Sequence, residues 1–420
     1  MVNKVKGTYD VLNDEIKIWH YLEDKIKKIT KKYNYTEIRT PIMEYSNVYH
    51  RESEQSDMVL KETYNFKDKG NRDLTLRPEG TAGVIRSYIE NKTYATTDLY
   101  KVYYHGPMFR YERPQKGRYR QFSQFGCEAI GYKNPLVDAE VIKLASDFIK
   151  EIGLKNVVVE INTLGDDKSR ENYLNALVEY LTPYKDELSN DSKERLTRNP
   201  LRILDSKDKN DQKIIENAPK PIDYLSEESK KYFNDTINYL KIFNVSYKIN
   251  NKLVRGLDYY SEVVFEILAD LKNFGSQNAL GGGGRYESLV DELGGPKTSA
   301  IGFSFGLDRL ILAIKEEEIE INDNNYLDAF VIMFSDNELN YGLNIINELR
   351  DKNFIVDFDF KTRAFRNQLR RALNNNSKYL IIIGENEVNN KQVTLKNTKT
   401  EEEKIISKDE LINILEKEIR

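Results

Sequence analysis

The stretch Tyr103–Gly131, YYHGPMFRYERPQKGRYRQFSQFGCEAIG, concentrates the residue types that do chemistry. From Lys101 to Gln121 the sequence has six basic residues, Lys101, Arg110, Arg113, Lys116, Arg118 and Arg120, against one acid, Glu112, although the net charge of the whole chain is -4. Positive charge gathered in this way suits an anionic partner. Aromatic-rich runs flank Pro114-Gln115-Lys116-Gly117, and proline with nearby glycine is turn chemistry, so the spacing predicts two antiparallel strands joined by a basic loop. Side chains on the second strand alternate between faces. Phe125, Cys127 and Ala129 take the core side. Phe122, Gln124, Gly126 and Glu128 take the other, offering a small flat ligand an aromatic plate, an amide, a gap and a carboxylate. A strand with a merely solvated outer face would alternate in the same way, so the neighbouring segments decide.

Leu74-Thr75-Leu76-Arg77-Pro78-Glu79-Gly80-Thr81 reads as a strand, a turn and a helix, with Pro78 able to start the helix and Gly80 permitting close approach to a ligand. Glu79 and Thr81 are suitable acceptors for an ammonium, although such a pair also makes a helix cap. Leu253-Val254-Arg255-Gly256-Leu257-Asp258-Tyr259-Tyr260 precedes a strand from Glu262 to Ile267. The run Gly281–Gly284 before Arg285 and Tyr286 either lays backbone close against something or forms a flexible turn. Ala300 to Leu310 alternates small and large residues as a buried strand does, and Gly306 opens a helix carrying Asp308 and Arg309.

Other elements frame these segments. Ile16, Trp19, Leu22, Ile26, Ile29 and Tyr33 recur at helical spacing after Asn13 and Asp14, and a β-prone run, Tyr35 to Met43, follows with Pro41 inside it. Asn134-Pro135 caps a helix running to about Glu151, and Val157 to Ile161 is a strand. Asp166 to Phe243 is polar and helical in period, without a catalytic cluster. Lys315 to Glu320 with Asn322 to Asn325 reads as a linker. Beyond it, strands at Ala329–Phe334, Phe354–Phe358, Tyr379–Ile383 and Gln392–Leu395 alternate with helices at Glu338–Lys352 and Ala364–Asn375 before a final helix, the pattern of a small α/β domain. Arg363, Arg366 and Arg370 share one helical face, which fits either RNA phosphates or plain solvation.

Composition narrows the function classes. The chain has 420 residues, 31% of them charged and 39% hydrophobic, enough for two or three domains of an ordinary soluble protein. One cysteine, Cys127, allows no intrachain disulfide and fits a reducing cytoplasm. The opening MVNKVKGTYD has no apolar signal region, and no apolar run is long enough to span a bilayer, so no membrane partner is expected. His20, His50 and His105 are widely spaced, which argues against a protein-ligated zinc site.

The run Gly106 to Phe122, continuing through Gln124 and Cys127-Glu128, resembles the motif 2 hairpin of the histidyl-tRNA synthetases, a family of class II aminoacyl-tRNA synthetases. The Arg77–Thr81 segment, Arg255–Tyr260, Gly281–Tyr286 and Ala300–Leu310 are similar to further motifs of that family, with Asp308 where most members have Glu. The helix, strand and Pro41 near the start resemble motif 1, which in the family lies at a dimer interface. The resemblance covers essentially the whole chain. It implies an α+β catalytic domain over residues 1–322, an antiparallel sheet flanked by helices, with a mostly helical insertion at about 166–245. An anticodon-binding α/β domain with a mixed sheet is implied over 326–420.

The implied reaction is activation of L-histidine by ATP, followed by transfer to the 3′ end of tRNA(His). Arg110 and Arg255 are the implied catalytic cations. Glu79, Gly80, Thr81, Gln124, Glu128, Tyr259, Tyr260 and Tyr286 join them around histidine, with Glu128 accepting from the imidazole and Tyr260 donating to it. Glu112, Arg118, Phe122 and Arg309 join Arg110 around ATP, adenine lying between Phe122 and Arg309, with Mg2+ carried mainly by the phosphates. Arg113, Gln115, Lys116 and Arg120 face the acceptor end of the tRNA. Two other readings share parts of the pattern: a synthetase-like regulatory subunit of the histidine-biosynthetic ATP phosphoribosyltransferase, which usually lacks the C-terminal domain, and another class II synthetase, which would lack the Arg255–Tyr260 motif.

Overall fold

A computed structural model describes residues 2–12, 14–51, 54, 56–257, 259–269, 278–321, 327–361 and 364–419. Asn13, Asp258, Arg363 and the expected linker at 322–325 lie outside them. The chain divides into two compact units, residues 1–321 and 322–420.

In the first unit, α1 (Asp14–Lys32) buries Trp19, Leu22, Ile26 and Ile29 along one stripe, as its apolar spacing requires. The run Tyr35–Met43 does not form a single strand. β1 (Thr36–Glu37) ends before Pro41, which has no N–H for a ladder, and β2 (Met43–Tyr45) joins a different sheet. After α2 (Asp57–Lys61), β3 (Tyr64–Lys67) and β4 (Asp73–Leu76) complete that small antiparallel sheet in the order β2-β4-β3. Pro78 does not start the next helix. α3 (Thr81–Glu90) begins three residues later, because Glu79 accepts the main-chain N–H groups of Thr81 (2.5 Å) and Ala82 (2.8 Å) and so caps the first turn there.

β5 (Tyr100–Phe109) and β6 (Gln121–Gly131) pair antiparallel from Tyr100↔Ile130 to Phe109↔Gln121, which is the hairpin the sequence indicates. α4 (Pro135–Glu151) starts at an Asn134 cap that accepts from the Leu136 N–H. β7 (Val157–Thr163) leads into a helical stretch of α5 (Asp167–Leu181), α6 (Asn190–Arg198), α7 (Lys209–Ile215) and α8 (Glu227–Ile242). The last of these is built into the main core, since Tyr232, Phe233 and Leu240 pack with the apolar side of α4. β8 (Tyr247–Ile249), β9 (Tyr260–Ala269), β10 (Ala279–Tyr286), α9 (Leu289–Glu292), β11 (Ser299–Gly306) and α10 (Leu307–Glu316) complete the unit.

The resulting eight-stranded sheet runs β1-β5-β6-β11-β10-β9-β7-β8. Its interior pairs are antiparallel, while the edge strands β1 and β8 run parallel to their neighbours, so the sheet is mixed rather than wholly antiparallel. One face is covered by α1, α4, α8 and α10 over Phe125, Cys127, Phe265, Phe303 and Phe305. The opposite face carries the site. Gly281–Gly284 form no turn; they lie within β10, paired on both sides.

The second unit is a five-stranded sheet in the order β13-β12-β14-β15-β16, formed by β12 (Ala329–Met333), β13 (Val356–Phe358), β14 (Tyr379–Ile383), β15 (Gln392–Asn397) and β16 (Glu403–Ser407). The first three are parallel and the last two pairings antiparallel. α11 (Asp336–Asp351), α12 (Phe365–Asn374), α13 (Glu385–Asn390) and α14 (Lys408–Ile419) surround it. Sequence periodicity misses β16, an edge strand on which Ile406 alone is buried, and α13, a short polar helix with no buried residue. Among the described residues no helix is long and apolar enough to cross a membrane.

Candidate active site

The uncovered face of the large sheet opens into a cavity of about 720 Å³. Glu128 lines it, on the face that period-two alternation assigns to it. It lies opposite Gly302 of β11, and a Cβ there would come within 1.8 Å of Glu128 Oε2. The carboxyl is 1% exposed. Its Oε1 accepts from the Thr81 hydroxyl (2.7 Å) and its Oε2 from the Tyr286 hydroxyl (2.8 Å). Burial pushes this group up to about 8, against the pull of those two hydrogen bonds and with a further push from the charge of Glu79.

Two neighbouring glycines make room in the same way. A Cβ on Gly282 would lie 2.8 Å from Arg255 Nη1, and one on Gly284 would lie 2.9 Å from the Tyr260 ring. Gly80 behaves differently from its sequence expectation. The group closing on it is the Tyr104 ring, 2.2 Å from a built Cβ, so glycine is needed there for internal packing. The Tyr104 ring also fills the space beside Gly126. Thr81 likewise has its proton committed to Glu128, leaving its lone pairs to act as acceptor.

Gln124 donates from Nε2 to Ser304 (3.1 Å), and among the described residues its buried Oε1 has no hydrogen-bond partner. Arg255 donates from Nη1 to Glu266 (2.8 Å), and its guanidinium lies 5.9 Å from the Tyr260 ring centre. Tyr259 packs on both Tyr260 and Tyr286, at 4.8 and 5.4 Å between ring centres. Burial raises all three phenols, keeping them protonated donors.

Arg110 donates from Nε to the Pro78 carbonyl (2.8 Å) and covers the Phe122 ring at 5.1 Å. Glu112 lies between Arg110 and Arg118, at 4.0 and 3.3 Å. Arg309, on α10, lines the cavity together with Arg110 and Arg118, whereas Phe122 is not among the lining residues. The structure thus brings Arg110, Arg118 and Arg309 together along the cavity and places Arg110 over the Phe122 ring.

In the basic loop Arg113, Gln115 and Lys116 are exposed, while Arg120 is half-buried with its guanidinium 3.8 Å from the Tyr111 ring centre. Asp308 accepts from the Tyr9 hydroxyl (2.5 Å) and the Ser123 N–H (2.8 Å), so it fastens the N-terminal segment to the start of β6. Sequence reasoning missed Glu160, Arg202, Asp205 and Glu266, which also line the cavity. Alternation along β9 could have flagged Glu266, which shares a face with Tyr260; the other three carry no local signal. Among the described residues no three His, Cys, Asp or Glu side chains converge to hold a metal ion.

A largely antiparallel sheet with Arg110 and Glu112 at the end of a β-hairpin and Arg309 on the helix after β11 is the arrangement of a class II aminoacyl-tRNA synthetase. A histidyl-tRNA synthetase family model matches residues 7–310, and an anticodon binding domain model matches residues 328–418. The chain belongs to the histidyl-tRNA synthetase family. It is 58% identical over 412 residues to a histidine–tRNA ligase of Acholeplasma laidlawii, covering 98% of each chain. The crystal structure of apo S. aureus histidyl-tRNA synthetase superposes with a TM-score of 0.85 at 39% identity, over 99% of this chain and all of that one. A structure described as an ATP phosphoribosyltransferase regulatory subunit/histidyl-tRNA synthetase from Bacillus halodurans shares the fold, with a TM-score of 0.65 at 21% identity, covering 91% of this chain and 98% of that one.

Proposed function

We propose that this protein activates L-histidine with ATP, giving histidyl-adenylate and pyrophosphate, and then transfers the histidine to the 3′ end of tRNA(His). The observation that carries the pocket assignment is the buried Glu128 carboxyl, held by Thr81 and Tyr286 on the cavity face that also presents Gln124, whose Oε1 has no hydrogen-bond partner among the described residues. A neutral imidazole has one N–H and one lone pair, which need an acceptor and a donor. Glu128 supplies the acceptor and the Tyr260 hydroxyl the donor, while Glu79, Thr81 and Gln124 Oε1 take the ammonium, with Tyr259 packed behind. An amino acid without the imidazole groups makes neither contact, and by analogy with sites built around a substrate's polar groups this is worth roughly 10⁴ in discrimination.

Attack of the histidine carboxylate on the α-phosphorus breaks its bond to pyrophosphate and gathers negative charge on the α-phosphate oxygens. Arg110 and Arg255 meet that charge. Arg118 takes the outer phosphates, Glu112 aligns it with Arg110, and Arg309 with Phe122 holds adenine once Arg110 turns from the ring to the phosphate. We assign Mg2+ to the ATP phosphates, where it ordinarily rides.

Arg113, Gln115 and Lys116, exposed on the hairpin loop, and Arg120 beside them approach the acceptor end, and residues 326–420 take the anticodon. A homodimer fits the small β2-β4-β3 sheet, where Ile42, Met43, Tyr45 and Phe66 are 42, 55, 53 and 40% exposed. The setting is the cytoplasm, where tRNA is charged. The regulatory-subunit reading is not favoured, because the 58% identity to a ligase runs through the C-terminal unit.

ATP–pyrophosphate exchange with each of the twenty amino acids tests the proposal. Exchange with histidine alone supports it; no exchange from folded, histidine-binding protein overturns it.

A further inference from the structure

Arg255 stands on the segment between β8 and β9, and the sheet holds that segment at two places. The buried Asn162 side chain donates to the Leu253 carbonyl (2.9 Å), and Asn250 donates to Glu160 (2.6 Å). A further tie comes from the helical stretch. Arg202, in the 3-10 turn Pro200–Ile203 between α6 and α7, donates from Nη1 to the main-chain carbonyl of Arg255 itself (3.1 Å). At the next residue the loop is open: a Cβ built on Gly256 meets no atom within 4 Å. The same turn continues into the cavity wall through Leu204 and Asp205. Burial raises the Glu266 carboxyl that pairs with Arg255, Arg255 pulls it down, and the charge of Asp205 adds to the rise.

We propose that Arg202 is a positioning residue for adenylate formation, which aims the Arg255 guanidinium by fixing the carbonyl at its root. The inference rests on the reading of Arg255 given above. An arginine side chain is long, so a small backbone displacement at its base moves the charged end by ångströms, and a misplacement of about 1 Å can cost roughly 100-fold. A hydrogen bond from a charged donor is strong enough to prevent that displacement. The helical stretch thereby becomes part of the catalytic apparatus, since any movement of α6, which packs on this turn, reaches Arg255 through one side chain.

Steady-state pyrophosphate exchange with the full-length protein tests this in Arg202→Ala, Arg202→Lys and Arg255→Ala, and in the Arg202→Ala/Arg255→Ala double variant, with the thermal midpoint of each. The expected result is a loss of about tenfold or more in kcat for Arg202→Ala, the scale of a lost charged hydrogen bond. KM for histidine and ATP and the thermal midpoint should hardly change. Arg202→Lys should recover much of the rate, and Arg202→Ala should cost nothing further once Arg255 is gone. An unchanged kcat overturns the inference. So does a loss that persists undiminished beside Arg255→Ala, or one that arrives with raised KM values and a lowered midpoint. Wild-type exchange speaks to the reading of the site, and the ratios among variants speak to Arg202 alone.

Discussion

Glu128 Oε2 occupies the space that a side chain on Gly302 would fill, 1.8 Å from the built Cβ. The two residues face each other across β6 and β11, so the carboxyl lies over the β11 backbone at Gly302. Gly302→Ala should therefore displace Glu128. Overpacking of this kind costs about 1–3 kcal/mol, readable in urea unfolding. KM for histidine should rise with little change for ATP, and equal effects on the two substrates would contradict the placement.

The raised Glu128 carboxyl fixes a pH dependence. With its folded value at about 8, the group is largely neutral at pH 7, and its charged form is the stronger acceptor for an imidazole N–H. Histidine KM should fall as pH rises toward 8, by about tenfold per unit below that point, with protonation of the free imidazole adding its own term below about pH 6.5. The stability linkage has the opposite sense: a raised folded value contributes stability that is complete below the ordinary glutamate range and is lost as pH rises through about 8. Glu128→Gln should flatten both profiles and weaken histidine by roughly 10- to 100-fold, as for lost charged hydrogen bonds, with ATP little affected. A histidine KM that stays level from pH 6 to 8 in the wild type would sink the assignment.

Arg255→Ala should lower kcat for pyrophosphate exchange by about 100- to 1,000-fold, the usual result of removing one donor aimed at developing charge. Histidine binding, followed by calorimetry, should change far less. Equal losses in both would make Arg255 a binding group only.

Arg285 and Asp138 form an ion pair with no exposed side-chain surface, which joins β10 to α4, and Tyr232 donates to Asp138 as well (3.0 Å). Asp138→Ala strands a buried guanidinium and should cost about 3–5 kcal/mol, measured by urea denaturation. Asp138→Leu combined with Arg285→Met should recover most of it. A single substitution that unfolds at the wild-type midpoint would show that water reaches the pair.

Much of the site was legible because it depends on local periods. Alternation on β6 separated Glu128 and Gln124 from Phe125 and Cys127, and Asn134-Pro135 marked the start of α4 to the residue. What stayed hidden depends on contacts between distant segments. Nothing around Asp308 signals that Tyr9 will bond to it, and nothing around Arg202 signals the Arg255 carbonyl. Pro78 misled because a competing cap, Glu79, reaches forward over the turn and sets a later start for α3.

Gly282, Gly284 and Gly302 give up their side chains to Arg255, Tyr260 and Glu128 respectively. The genetic alphabet holds nothing smaller than glycine, so the backbone behind these three cavity-lining side chains is already as bare as heredity or protein engineering can make it. A variant remodelled for bulkier histidine analogues has to be cut from the walls, at Gln124, Thr81 or Tyr259. Drift at the three glycines can only press Arg255, Tyr260 and Glu128 into the cavity.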